Sequence, residues 1–216
     1  MATAATSNRL DADLPTRDEV ERLIRACSHR APTGVRNRAM IAVLWRSGLR
    51  LGEALALRPK DLMVSEGILT VQHGKGDKLR RVGIDSGTVA LISRWLEART
   101  KLGIRGGSPL FCTLDGREID QSYVRHLLPR LARKAGIEKR VHSHSLRHAM
   151  AVELEREGAT LSAIRNLLGH SSVAVTDRYL RRHGGGEAVA FGRSREWSLT
   201  PQRDSRPAKH NATSHE

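Results

Sequence analysis

The chain has 216 residues, 39% hydrophobic, 28% charged and 3% aromatic, with a formal net charge of +14. That is enough for one sizeable core, or for one domain with tails. No apolar run is long enough to cross a bilayer as a helix, and the opening MATAATSNRLDADLP lacks the basic start and apolar centre of a secretory signal, so a cytoplasmic protein without a membrane partner is expected.

In chain order, LPTRDEVERLIRAC opens with a capping box, Thr16 and Glu19, followed by Val20, Leu23 and Ile24 at helical spacing. VRNRAMIAVLWRSG reads as a buried helix, with Met40, Ile41, Val43, Leu44 and Trp45, closed by Gly48. A short helix in RLGEALAL stops before Pro59. GILTVQH and KLRRVGI alternate as strands joined by the turn GKGD, a hairpin with lysines at its tip. GTVALISRWLEARTKLG predicts another helix, and PLFCTLDGREI a short extended piece and a turn. QSYVRHLLPRLARKAG is helical with a kink expected at Pro129. SLRHAMAVELEREG and TLSAIRNLLG give two helices closed by glycine, and SVAVTDRYLRRH a last one. After GGG at 184–186 the period is lost, and disorder is expected over 198–216. The fold class is α+β, mainly helical, with one small antiparallel sheet or hairpin.

The positive charge lies in the periodic part of the chain. Residues 1–35 hold five Lys/Arg against five Asp/Glu, and residues 184–216 five against four, so +13 falls in 36–183. A basic folded surface attracts a polyanion, nucleic acid being the commonest. So few aromatics argue against a stacking platform for single strands, which leaves the duplex backbone as the expected target. The two cysteines, Cys27 and Cys112, stand far apart without metal-ligand spacing and read as reduced thiols.

Four separated stretches place polar groups where a simple core would not want them. In SGLRLGEALAL, Arg50 precedes Glu53 by three residues, which alone would be a surface ion pair. In HGKGDKLRR, Lys75 lies between glycines and is followed by Lys78, Arg80 and Arg81, either a solvated basic hairpin or a finger against phosphates. In HSHSLRHAM, His144 and Arg147 are three apart at a helix start, a favourable place for a phosphate. His142 and His148 lie close by, but no carboxylate or cysteine completes a metal set and Arg147 would repel a cation. In LLGHSSVAVTDRYL, His170 precedes Tyr179 by nine residues; singly, a helix cap and a half-buried packing residue would explain them.

Taken together and in this order, the four stretches resemble the tyrosine recombinases, the phage-integrase family of site-specific DNA strand-exchange enzymes, over about residues 15–183. The resemblance implies that Arg50 and Arg147 are the catalytic arginines, Lys75 the hairpin lysine, His144 and His170 the histidines and Tyr179 the nucleophile, with Glu53 supporting Arg50. It implies duplex DNA as substrate, no cofactor, metal or small-molecule substrate, and a homo-oligomer, a tetramer on paired sites. Arg58, Lys60, Lys78, Arg80 and Arg81 are expected to touch DNA. Only about fourteen residues, the tail 1–14, precede the first helix, so a catalytic domain without the family's N-terminal clamp is expected. Residues 184–216 would be a segment that docks on a neighbouring copy and then a disordered tail. A DNA-binding regulator and a topoisomerase-like nicking and resealing enzyme are the alternatives.

Overall fold

Local sequence sets the first helix of the computed structural model, which describes residues 13–71, 79–168 and 192–193. Glu19 N–H donates to Thr16 Oγ1 at 3.3 Å and Thr16 N–H to Glu19 Oε2 at 2.7 Å, the expected reciprocal cap of α1 (Arg17–Arg25). Val20, Leu23 and Ile24 are its buried stripe against α2 (Pro32–Arg46), the central helix. Every residue from Ala39 to Trp45 is at most 1% exposed, so α2 is covered on all sides, chiefly by α1 and by the helices at 86–101 and 143–156. Each such Leu, Ile, Val or Met contributes roughly 1.5–3 kcal/mol through burial.

Gly48 ends that run at φ +61, in the left-handed region; a Cβ there would lie 2.0 Å from Met150 Cε and 2.9 Å from Leu168 Cδ2. The missing side chain is what lets the helices that carry Met150 and Leu168 close over the turn. Then come α3 (Leu51–Ala56), a 3-10 turn (Pro59–Asp61) and the strands β1 (Leu62–Met63), β2 (Ile68–Val71) and β3 (Arg80–Gly83). They form an antiparallel sheet in the order β1-β2-β3, with Leu62 opposite Leu69, Thr70 opposite Arg81 and Val71 opposite Arg80. The β2–β3 pairing is the expected hairpin. The third strand is a surplus over expectation, because two residues carry no readable alternation.

Asp85 opens α4 (Ser86–Lys101), its carboxylate accepting from Thr88 N–H at 3.0 Å and Thr88 Oγ1–H at 3.1 Å. The following connection returns through an isolated bridge, Cys112 to Glu118, to α5 (Gln121–Lys134), capped by Asp120. Pro129 lies inside this single helix, on an exposed face. Helices α6 (Ser143–Arg156) and α7 (Leu161–Leu168) complete the described core. The helix expected over SVAVTDRYLRRH lies outside the described residues. Of the C-terminal segment, Gly192 is buried against Gly83, whose carbonyl oxygen would be 2.4 Å from a Cβ at 192, and Arg193 lies beside Gly67.

Candidate active site

The site starts at the turn after α2. Arg50 sits in extended conformation immediately before α3, and its N–H donates to Glu53 Oε2 at 2.8 Å. Its guanidinium folds back onto Glu53 Oε1 at 3.0 Å, with half of the side chain exposed. Glu53 holds a second guanidinium: Arg80 NH1 donates to Oε1 at 3.0 Å and NH2 to Oε2 at 2.8 Å, a two-pronged bond of the kind that fixes a carboxylate's plane. Burial alone would raise the Glu53 pKa. The hydrogen bonds from Arg80 and from the Arg50 main chain outweigh it and hold the carboxyl at about 2.

Arg80 was expected among the DNA contacts; in the structure its guanidinium is turned onto Glu53. Alternation along β3 puts Arg80 on the same face as buried Val82, and its side chain is only 11% exposed. Arg81 takes the solvent face and remains exposed, as do Arg58 and Lys60. Arg58 also donates to Gly107 O, and its N–H is capped by Asp61 Oδ2 at 2.8 Å.

Arg147 reaches the same place from α6. It is 5% exposed, with NH1 donating to Gly48 O and NH2 to Leu168 O at 2.7 Å. Burial, then the neighbouring positive charges of Arg50 and Arg80, lower its pKa to about 10, against the opposing pull of Glu53. Arg50, Arg80 and Arg147 thus share one electrostatic neighbourhood containing one carboxylate. Two backbone carbonyls that no side-chain motif announces, those of Gly48 and Leu168, orient the buried arginine.

Three histidines crowd the start of α6, where unsatisfied N–H groups favour an anion. His142 is the cap: its Nδ1 accepts from Ser145 N–H at 3.0 Å, while Ser145 Oγ accepts from His142 N–H at 3.0 Å. Burial, Arg140 and His144 lower the His142 pKa, which suits a ring nitrogen used as an acceptor. His144 is exposed, and its Nε2 lies 2.7 Å from Nε2 of His148, the rings edge to face at 4.2 Å. Among the described residues, no group of three or more His, Cys, Asp or Glu side chains is placed to hold a metal. Lys75, Lys78, His170 and Tyr179 lie outside the described residues.

The chain is similar in sequence and fold to known proteins. The model of the phage integrase family matches residues 15–184. The tyrosine recombinase XerD of Ralstonia nicotianae is 37% identical over 163 residues, covering 74% of this chain and 53% of that protein. XerC of Xanthomonas axonopodis pv. citri is 38% identical over 162 residues, covering 75% and 52%. The crystal structure of XerA recombinase superposes with a TM-score of 0.66 at 34% identity, covering 74% of this chain and 57% of that one. XerH recombinase bound to its difH substrate in a pre-cleavage complex gives 0.62 at 29% identity, covering 73% and 47%. The catalytic core of lambda integrase, at 18% identity and a TM-score of 0.53, shares the fold. The chain spans about half the length of the curated relatives it matches. Matched over most of its described core, it belongs to the phage integrase family and carries the tyrosine-recombinase catalytic domain.

Proposed function

We propose that the chain cleaves and rejoins duplex DNA through a 3′-phosphotyrosyl intermediate, acting on paired sites as a tetramer. The observation that carries this reading is the charge of the described site. Arg50 and Arg80 bond one carboxylate, and Arg147 lies within electrostatic reach of all three, an excess of positive charge that a phosphodiester would neutralise. Arg50, half exposed, and Arg147, anchored on two carbonyls, hold the non-bridging oxygens and stabilise the charge that grows on them as phosphorus becomes five-coordinate. Losing one such donor costs about 2.7–4 kcal/mol of barrier in comparable sites.

Tyr179 supplies the nucleophilic oxygen. A phenol has an ordinary pKa of about 10, so its proton must be taken as it attacks, and His144 accepts it, with His170 assisting at the phosphate. The P–O5′ bond breaks as the P–O(Tyr) bond forms, and Lys75 delivers a proton to the departing 5′-oxygen, which would leave poorly as an alkoxide. A 5′-hydroxyl from a second strand reverses the step onto a new partner, with no external energy source.

The test is a nicked duplex that loses its short 5′-hydroxyl fragment after cleavage and so traps the adduct. The wild-type chain is expected to give a protease-sensitive covalent complex. Tyr179→Phe is expected to give none while binding duplex within about threefold of wild type. Duplex binding without any adduct from the wild-type chain would turn the reading into that of a DNA-binding regulator.

A further inference from the structure

We infer that Arg80 is a positioning residue of the cleavage step, not a phosphate contact: it locks Glu53, and through Glu53 it holds Arg50 on the scissile phosphate. The inference rests on the role proposed above for Arg50. Both oxygens of Glu53 are shared between the two arginines. Oε1 accepts from Arg50 NH1 and Arg80 NH1, each at 3.0 Å, and Oε2 from Arg50 N–H and Arg80 NH2, each at 2.8 Å. The two partners differ in what holds them. Arg80 is 11% exposed and rises from strand β3, whereas half of the Arg50 side chain is in solvent and its guanidinium bonds Glu53. Packing therefore does little to place the Arg50 guanidinium; the carboxylate does. An i,i+3 Arg–Glu pair alone is a weak and mobile arrangement, worth a few tenths of a kcal/mol. The fork from Arg80 stops the carboxylate from turning, and turns that mobile pair into a fixed one.

The same geometry says why lysine would not replace it. An ammonium lacks the planar fork that holds both oxygens by two parallel bonds and so would not fix the plane of the carboxylate. It also distinguishes Arg80 from its neighbour. Arg81, one residue on, has the same charge but the opposite face of the strand. The basic run KLRR thus divides between an inward and an outward arginine.

The experiment uses the full chain and a nicked duplex built on the sequence to which the wild-type chain attaches. Arg80→Gln and Arg80→Lys are expected to slow single-turnover cleavage at saturating DNA by about 10- to 100-fold. Their duplex Kd should stay within twofold, with the slope of log K against log salt unchanged. Arg81→Gln is expected to weaken binding and flatten that slope by about 0.9, the loss of one phosphate contact. In a Glu53→Gln background, Arg80→Gln should cost less than threefold more, because the residue acts through that carboxylate. A duplex with a neutral methylphosphonate at the scissile position needs less guanidinium assistance, so the penalties of Arg50→Ala and Arg80→Gln should shrink together on it. A merely structural arginine would show the same penalty on both substrates, and that result overturns the inference. So does a flattened salt slope in Arg80→Gln, or a penalty fully additive with Glu53→Gln. If the wild-type chain itself forms no adduct, the functional reading fails and takes the inference with it; the other failures leave that reading standing.

Discussion

Glu53, ionised down to about pH 2 by Arg80 and Arg50, makes the folded state sensitive to acid in a defined window. An ordinary glutamate of 4.5 in the unfolded chain binds its proton earlier than the folded one does. The stabilisation is complete above about 4.5 and disappears as pH falls toward 2. With the side chain 11% exposed, the span corresponds to roughly 3 kcal/mol. Urea unfolding at pH 7 and pH 3 should therefore show a larger acid loss in the wild type than in Glu53→Gln. Gly48 is the other residue on which the site hangs. Gly48→Ala combines a left-handed φ of +61 with a Cβ 2.0 Å from Met150 Cε, and should cost about 2–4 kcal/mol from strain and overpacking. Because the Gly48 carbonyl accepts from Arg147, cleavage should fall even at temperatures where the variant is folded, checked by adduct yield beside a thermal melt. Sequence displayed Arg50, Glu53, His144 and Arg147 through their motifs. It hid Arg80 inside a run of like charge, although the alternation RRV, ending on a buried valine, contained the signal.

At the scale of elements, the helices were legible wherever an apolar stripe coincided with a cap, as at Thr16 and Glu19 before α1. Strand β1 was not, because Leu62–Met63, paired with Leu69 and Ile68, is too short to show an alternation. His142 was legible as a histidine but not as a cap, since Ser, Thr, Asp and Asn are the usual occupants of that position. Asp85 joins two elements: it caps α4 and accepts from Arg46 Nε at 2.8 Å, both side chains fully buried. Removing it takes the 2.8 Å partner from a fully buried guanidinium and leaves the longer 3.4 Å contact to Glu153, so Asp85→Ala should cost about 3 kcal/mol in denaturant unfolding. Asp85→Asn, which keeps an acceptor for the cap, should cost less.

For the whole molecule, composition and charge pointed to a basic helical domain, and the order of motifs pointed to its family, before any geometry was known. What sequence could not supply was which charges face inward, because that depends on strand register and on how α6 and α7 close over Gly48. The ionic chain that runs from the core to the surface has a consequence of its own. Arg46 links Asp85 at the head of α4 to Glu153 in α6 at 3.4 Å, and Arg17 at the head of α1 bonds both Glu153 and Glu157. Four helices are thereby tied by charged groups, two of them without solvent, and separating α2 from α4 would expose a buried charge on each. Amide protons along α1, α2, α4 and α6 should exchange with deuterium at one common, slow rate set by global unfolding, while those of β1, outside this knot, exchange sooner.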